Sequence, residues 1–179
     1  MGSITSNLFI SLDGVIGSPE TWHFDYFNDE MGAVVGASMS ETDAMLLGRQ
    51  TYDEFAGYWP NADPNDPITA QMNGARKYVV SNTLTEASWE NSTVIGGDVA
   101  AELTSLKQDT RLGTTGSATL VRWLLEAGLI DELHLLVHPV VVGSGKKLFT
   151  DGAKVPLTLV GSTTFTTGVL HVVYAPAAP

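Results

Sequence analysis

The sequence predicts a single α/β domain over residues 1–179, with a mostly parallel central sheet flanked by helices and an antiparallel C-terminal hairpin. Apolar, β-branched runs alternate with segments whose apolar residues recur at helical spacing, which is typical of a parallel sheet with crossover helices. Near the C-terminus, two strand-like runs follow one another directly around Thr167-Gly168, which indicates a hairpin. No repeat, linker or change of composition interrupts the chain, so one domain is expected.

In the N-terminal part of the chain, a strand, a loop and a helix are predicted. Residues 4–12 alternate in polarity and end in an Asp-Gly pair, as strands do when they enter a turn. The glycines and proline within residues 14–21 indicate a mobile loop. Apolar residues at helical spacing between Phe27 and Val35 then predict a helix, with Asp25 placed to cap its start.

The rest of the chain repeats this alternation. An apolar strand at 44–47 leads to a helix at 51–59, which Pro60 stops, and a polar surface loop is expected at 61–67. The later elements are predicted as strands at 77–81, 94–95, 111–115 and 133–142, helices at 99–106 and 119–127, and hairpin strands at 157–165 and 169–174.

The balance of charge excludes several classes of partner. Nine Lys and Arg stand against 20 Asp and Glu, and the formal net charge of −11 disfavours both nucleic acid and anionic membranes. An anionic ligand must therefore be held by a local pocket of backbone amides and a few basic side chains. The chain has no cysteine, no secretory signal and no 18-residue apolar stretch, so a cytoplasmic protein without disulfides is expected.

The strongest candidate for a phosphate site is a turn between a predicted strand and a predicted helix. Gly116 permits a tight turn there, and Ser117, Ala118 and Thr119 begin the helix, whose free N–H groups and dipole attract a phosphate. A glycine-serine turn at such a junction is also common without any ligand. Doubly wound dehydrogenases carry this turn after their first strand, whereas here it lies two-thirds along the chain, so that fold is not expected.

Two further strand ends carry polar groups suited to a phosphate. Gly48, Arg49 and Thr51 lie where a strand meets a helix, and the arginine fork there suits a phosphate. A solvated arginine and a capping threonine fit the same pattern. Ser81-Asn82-Thr83 follows another strand, and such clusters of hydroxyl and amide groups often form turns only. Neither segment by itself decides between a binding site and a turn.

Taken in order, these segments resemble the dihydrofolate reductase superfamily. They are more closely similar to the reductase domain of bacterial riboflavin-biosynthesis enzymes and its stand-alone relatives. The resemblance covers nearly the whole chain and rests on the order and spacing of its motifs. These are SLDGVIG at 11–17, LGRQTY at 47–52, YVVSNTL at 78–84, GSATLV at 116–121, GLIDEL at 128–133 and PVVVGSGKKLF at 139–149.

The resemblance implies an NADPH site built from four of these motifs. The first supplies a flexible loop over the nicotinamide, the second holds phosphates, the third surrounds the adenosine 2′-phosphate, and the fourth wraps the pyrophosphate. The positions that the resemblance assigns to the cofactor are Val15, Ile16, Gly48, Arg49, Thr51, Ser81, Asn82, Thr83, Gly116, Ser117, Ala118 and Thr119. A preference for NADPH over NADH is expected, because Arg49 adds a charge-assisted contact to a phosphate.

The proton donor and the substrate handle are less clearly marked. Dihydrofolate reductases carry a carboxylate at the start of the first helix, and the aligned position here falls near Phe27, between Asp25 and Asp29. Asp25 is the candidate catalytic acid, with helix capping as its alternative role. Arg76 or Lys77 is a candidate handle for a substrate phosphate, and a surface pair of basic residues is the alternative.

No metal site is expected from the histidines. His134 and His138 have the four-residue spacing that binds zinc on a helix. Their β-branched run predicts a strand instead, and four residues of strand span about 13 Å. That separation is too large for the two side chains to share one ion.

The resemblance implies a homodimeric, NADPH-dependent reductase of a small heterocycle. The substrate would be a pterin such as dihydrofolate, or a compound of the 5-amino-6-(5-phosphoribosylamino)uracil type. Two alternatives remain open: a non-catalytic NADPH-binding protein, and a ligand-free interaction domain that dimerises through residues 139–149. The apolar run at 133–142 is expected to be buried, either at a dimer interface or within the sheet.

Overall fold

The computed structural model describes residues 1–150, 152 and 154–177, and the other four positions of the predicted domain lie outside the described residues. The strands are β1 (Ser3–Ser11), β2 (Ala44–Gly48), β3 (Arg76–Val80), β4 (Ser92–Ile95), β5 (Arg111–Thr114), β6 (Glu132–His138), β7 (Leu157–Thr164) and β8 (Leu170–Pro176). The helices are α1 (Asp29–Glu41), α2 (Arg49–Tyr58), α3 (Pro67–Gly74), α4 (Val99–Leu106) and α5 (Ala118–Glu126). Short 3₁₀ turns occur at Pro19–Thr21, Phe24–Tyr26 and Trp59–Asn61.

These strands form one sheet in the order β4-β3-β2-β5-β1-β6-β8-β7. The strands from β4 to β6 run parallel, and β8 and β7 complete the sheet as antiparallel neighbours. The predicted α/β fold, with its parallel sheet and antiparallel C-terminal hairpin, is therefore confirmed. Because parallel strands carry their carboxyl ends at the same edge, the loops after β1, β2, β3 and β5 share that edge.

The two faces of the sheet are covered by different helices. Successive strand residues point to opposite faces, so Leu135 of β6 joins the cluster around α5, whereas Leu136 packs against Met31 of α1. The residues that α5 buries on the sheet recur at helical spacing and are Ala118, Leu120, Val121, Leu124 and Leu125. This apolar stripe holds the first turn of α5 against the carboxyl edge of the sheet.

The strand predicted at 133–142 ends earlier, at His138. Pro139 has no N–H to donate to a neighbouring strand, and the Val140 N–H turns back to the carbonyl of His138 at 2.8 Å. Gly143 and Gly145 then adopt φ angles of +86° and +132°. The β-branched run at 140–142 therefore leaves the sheet as a loop, while the apolar residues before it are buried between β1 and β8.

Two predictions for the helices are wrong or incomplete. Asp25 does not cap α1: it lies exposed in the 3₁₀ turn at Phe24–Tyr26. The cap is Asn28, whose side chain accepts a hydrogen bond from the Met31 N–H at 3.0 Å. Helix α3 is missing from the sequence analysis because it presents no clear apolar stripe, and it begins where Asp66 accepts from the Ile68 N–H at 2.9 Å.

Lys77 is fully buried in β3 and is not a surface residue. Its ammonium donates to the carbonyls of Asn73, Ala75 and Glu90 at 2.9, 2.7 and 3.2 Å. It also lies 4.0 Å from the centroid of the Trp89 ring, a cation–π contact. Burial lowers the pKa of Lys77 to about 8. The side chain thus fastens the end of α3 to the sheet and is not available to a substrate phosphate.

The described part of the chain contains no helix that is both long and apolar enough to cross a membrane.

Candidate functional site

The three segments that the sequence offers as phosphate sites lie together at the carboxyl edge of the sheet. They follow β2, β3 and β5, and β2 lies between the other two strands. Segments that are 30 or more positions apart along the chain are therefore neighbours in space. This adjacency comes from the strand order, which the sequence pattern does not specify.

Ser117 joins two of these segments directly. Its hydroxyl accepts a hydrogen bond from the Gly48 N–H at 3.0 Å, and its own N–H donates to Thr51 Oγ1 at 2.9 Å. Gly116 and Ser117 both have left-handed φ angles, +60° and +45°, and a Cβ at Gly116 would lie 3.2 Å from the Thr51 side chain. We call this contact the α2–α5 junction. It places the N-termini of two helices side by side, and the residues at least partly exposed there are Arg49, Gln50 and Thr119.

The third segment is an ordered turn next to this junction. Ser81 Oγ accepts hydrogen bonds from the N–H groups of Thr83 and Leu84 at 3.2 and 3.0 Å. Asn82 Oδ1 accepts from the Gly97 N–H at 3.3 Å. Ser81 is buried and serves the turn itself, whereas Asn82 and Thr83 are exposed at the edge. Of these three residues, the exposed two are the ones that can reach a ligand.

Two basic side chains lie at the first turn of α2. Arg49 is the first residue of the helix, and its Nε donates to Asp53 at 2.7 Å on a half-exposed surface. Lys146, from the loop after β6, donates to Gln50 Oε1 at 2.9 Å. Sequence reasoning did not select Lys146, because it lies 96 positions from Gln50 and its pattern is that of an ordinary loop lysine. The pair supplies positive charge beside the α2–α5 junction.

The loop after β1 is fastened to the loop after β6. Asp13 accepts hydrogen bonds from Ser11 Oγ at 2.7 Å and from the N–H groups of Val142 and Gly143 at 3.0 and 2.9 Å. These hydrogen bonds lower the pKa of Asp13 to about 2, and the bond from the Ser11 hydroxyl has the largest effect. Val15 and Ile16, the residues assigned to the nicotinamide loop, are both buried. This part of the predicted mobile loop is thus held by backbone hydrogen bonds to Lys146 and Leu148.

Two buried histidines lie within an aromatic cluster near the carboxyl ends of β1 and β6. The His23 ring stacks on Phe9 with centroids 4.4 Å apart, and His138 meets the edges of Phe9 and Trp22 at 5.7 and 5.1 Å. Burial lowers the pKa of both imidazoles, and each histidine has one buried ring nitrogen without a partner among the described residues. His23 was missed at the sequence level because its neighbours Trp22 and Phe24 give no catalytic motif.

A cavity of about 470 Å³ lies between α1 and the sheet, and we call it the α1 cavity. Its far wall comes from α2 and α3, and its floor comes from β1, β2, β5 and β6. At one end it reaches Thr115, the residue that directly precedes Gly116. The lining residues are Asn7, Leu8, Phe9, Val34, Val35, Ser38, Met39, Thr42, Asp43, Ala44, Met45, Phe55, Ala70, Gln71, Met72, Gly74, Ala75, Gly113, Thr114, Thr115 and Leu136. Asp25 is not among them.

Comparison with known proteins assigns the chain to a family. The model of the RibD C-terminal domain matches residues 3–171. The chain belongs to the RibD C-terminal domain family. It is 31% identical over 178 residues to an uncharacterized Bacillus subtilis protein, YyaP, which covers 96% of this chain and 93% of that protein. A second uncharacterized B. subtilis protein, YwjB, is 30% identical over 145 residues, or 78% of each chain.

Solved structures of RibD-type proteins share the fold. A Shewanella protein named for riboflavin biosynthesis superposes with a TM-score of 0.77 at 22% identity, over 98% of this chain and 99% of that chain. The Thermotoga maritima deaminase/5-amino-6-(5-phosphoribosylamino)uracil reductase superposes with a TM-score of 0.66 at 16% identity, over 98% of this chain but 57% of that chain. The resemblance to riboflavin-biosynthesis reductase domains and their stand-alone relatives is therefore confirmed.

The histidines of this RibD C-terminal domain separate into two groups. His134 Nδ1 lies 3.2 Å from His171 Nε2, and its other nitrogen lies 3.0 Å from Glu132. His138 belongs instead to the aromatic cluster with His23. Across the described residues, no group of three His, Cys, Asp or Glu side chains is arranged to hold a metal ion.

The buried histidines predict a loss of stability in mild acid. Burial lowers the pKa values of His23, His138 and His171 in the folded state, whereas a histidine in the unfolded chain has a pKa of about 6.5. The unfolded state then binds more protons below that pH, so the free energy of unfolding decreases as pH falls through and below 6.5. Urea denaturation at pH 7.5 and 5.5 measures the decrease. We expect a smaller decrease for His23→Phe, which keeps an aromatic ring on Phe9, and the wild-type decrease for Thr21→Ala. An equal decrease in wild type and His23→Phe would contradict the prediction for His23.

Proposed function

We propose that this protein is an NADPH-dependent reductase of a small heterocyclic substrate. The observation that supports it most is the α2–α5 junction, where two helix N-termini meet beside Arg49 and Lys146. Backbone N–H groups and two cations suit a pyrophosphate even on a chain with a net charge of −11. Membership of the RibD C-terminal domain family supports the same chemistry.

The residues of the carboxyl edge fit the cofactor in distinct roles. Gly116 and Thr119 would contact the pyrophosphate because both are at least partly exposed, whereas Ser117 and Ala118 are buried and would hold the turn in place. Arg49 and the exposed Asn82 and Thr83 would receive the adenosine 2′-phosphate. Val15 and Ile16 are buried, so they would hold the loop after β1 in place beside the nicotinamide, which supplies a hydride when the cofactor is bound.

The α1 cavity is the proposed substrate site, since it ends at Thr115, next to the pyrophosphate turn. Hydride transfer to a C=N or C=O bond leaves negative charge on the heteroatom, which must then be protonated. Asp25 is the proposed acid, and it lies two residues after the buried His23, in the exposed 3₁₀ turn. Asp25 would act on the ring through a bound water, since its turn contacts the aromatic cluster and Phe9 of that cluster lines the α1 cavity.

A non-catalytic NADPH-binding protein is the second candidate function. One observation favours it: Asp25 is exposed and does not line the α1 cavity. In that case the α2–α5 junction binds the cofactor and no side chain delivers a proton to a substrate.

The cofactor proposal predicts tighter binding of NADPH than of NADH. Replacing Arg49 with Ala should weaken NADPH binding by about 1.5–3 kcal/mol, because a charge-assisted hydrogen bond is lost. Arg76→Ala is the matched control, since Arg76 is exposed at the opposite, amino-terminal edge of the sheet and should leave the affinity unchanged. Nucleotide fluorescence titration measures all of these constants. Equal affinity for NADPH and NADH, or an unchanged constant in Arg49→Ala, would count against the assignment.

The proposed acid predicts a separation of binding from turnover. Asp25→Asn should keep the NADPH affinity of the wild type and lower kcat about 10²-fold, the scale of a lost general acid. Asp29→Asn is the control, because Asp29 is also exposed and begins α1. The measurement is NADPH oxidation with a heterocycle that the wild type reduces. Normal turnover of Asp25→Asn would mean that the proton comes from another group, and His23→Gln then tests the buried imidazole.

We also propose a homodimer that covers the C-terminal hairpin. Leu159, Val160 and Leu170 are 54, 57 and 42% exposed on β7 and β8, and an apolar sheet edge of this kind favours association. Sedimentation at micromolar concentration should show a dimer for the wild type and for Ala101→Asp, which is exposed on α4 outside the hairpin, but a monomer for Leu159→Asp. A monomeric wild type would remove the dimer and leave the cofactor proposal intact.

A further inference from the structure

The α1 cavity contains almost no charge. Within the described part of the chain, its lining includes no Lys, Arg or His, and its one acidic side chain is Asp43. Asp43 is held by the Arg111 guanidinium, with Arg111 Nε at 3.0 Å from its carboxylate. Arg111 lowers the pKa of Asp43 to about 2, so this carboxylate stays ionised. A phosphate in the cavity would meet this carboxylate, and no cation lines the described walls.

The basic residues that could hold a substrate phosphate do not line the α1 cavity, although Arg76 lies beside it, in the neighbouring cleft that shares Asp43 and Gly74. The Lys77 ammonium donates hydrogen bonds to three backbone carbonyls and makes a cation–π contact with the Trp89 ring. Arg76 is exposed at the amino-terminal end of β3, at the edge of the sheet opposite the α2–α5 junction. Arg49 and Lys146 lie at the junction itself, where the cofactor proposal already uses them.

The walls of the cavity suit a flat ring. Val34, Val35 and Met39 of α1 form one apolar side, and Phe55 and Met72 contribute to the other. A volume of about 470 Å³ lies within the usual range for small-molecule sites, about 300–1,000 Å³.

The polar groups of the cavity are few and uncharged. Asn7 on β1 and Gln71 on α3 carry amides, each with donor and acceptor atoms, and Ser38 and Thr115 carry hydroxyls. Such groups orient the ring nitrogens and carbonyls of a heterocycle, but they do not compensate the charge of a phosphate ester.

We propose that the α1 cavity binds an uncharged, unphosphorylated heteroaromatic molecule of one or two rings. This rests on the proposed function, because it names the substrate class of that site. It separates this chain from a reductase whose substrate carries a ribose phosphate.

The test uses one ring system with and without phosphate. The full chain is titrated with 6-hydroxymethylpterin and with its monophosphate ester, by pterin fluorescence, in the absence and presence of NADPH. We expect the unphosphorylated pterin to bind at least about tenfold more tightly, because the ester places a charge in a cavity without a cation. NADPH binding is titrated separately on the same samples.

Variants on α1 and α3 locate the binding. Ser38→Trp fills the cavity and should abolish pterin binding, while Ala37→Trp, on the exposed side of the same helix, should retain it. Gln71→Leu removes the amide but keeps a side chain of similar size, and it should weaken pterin binding several-fold. It serves as the test if Ser38→Trp does not fold. NADPH affinity should be that of the wild type in each folded variant.

The possible outcomes separate the two proposals. Equal or tighter binding of the phosphate ester would overturn the inference, and so would absence of binding by both pterins or normal pterin binding by Ser38→Trp. Pterin binding that follows the expected pattern in a protein that does not bind NADPH would overturn the proposed function and leave the inference standing.

Discussion

The hydrogen bonds of Ser117 with Gly48 and Thr51 connect the two halves of the carboxyl edge. One bond involves the end of β2 and the other the first turn of α2, so α5 cannot shift along the sheet without breaking both. The left-handed backbone at Gly116 and Ser117 is what brings these groups within reach. The hydroxyl of Ser117 serves Gly48 and not its own helix, and Ser117 and Ala118 are buried, so Thr119 is the exposed residue in the first turn of α5.

Two carboxylates of this acidic chain are compensated by donors next to them. Asp13 is satisfied by a hydroxyl and two backbone N–H groups, and Asp43 by Arg111, so neither carboxylate requires a ligand. The positive groups near the carboxyl edge include Arg49 and Lys146 at the first turn of α2, and Arg122 of α5, which donates to Thr119 Oγ1 at 3.3 Å. No Lys, Arg or His among the described residues lines the α1 cavity, so the proposed cofactor site and the proposed substrate site differ strongly in charge.

The aromatic cluster near the ends of β1 and β6 links the loop that carries Trp22 to the sheet. Phe9 lies at its centre and contacts both buried imidazoles. Because Asp13 fastens the neighbouring turn to the loop after β6, the cluster is bounded on one side by a fixed segment. Protonation of a buried imidazole would therefore disturb packing that involves both loops.

The sequence by itself determined the fold class, the family and the positions of the three polar turns that follow β2, β3 and β5, because these depend on local periodicity and short motifs. The predicted end of β6 was wrong because two local preferences compete there. The β-branched residues at 140–142 favour a strand, but Pro139 and two glycines with positive φ angles remove them from the sheet. The tertiary structure decided which distant residues meet. The order of the strands brings Ser117 to Thr51 and Lys146 to Gln50, and the packing of helices on the sheet buries Lys77 and His23. The spacing of residues along one segment contains neither kind of information. The same packing placed Asp25 outside the cavity and Asn28 at the helix cap, because an N-cap depends on the exact residue at which the backbone turns into the helix.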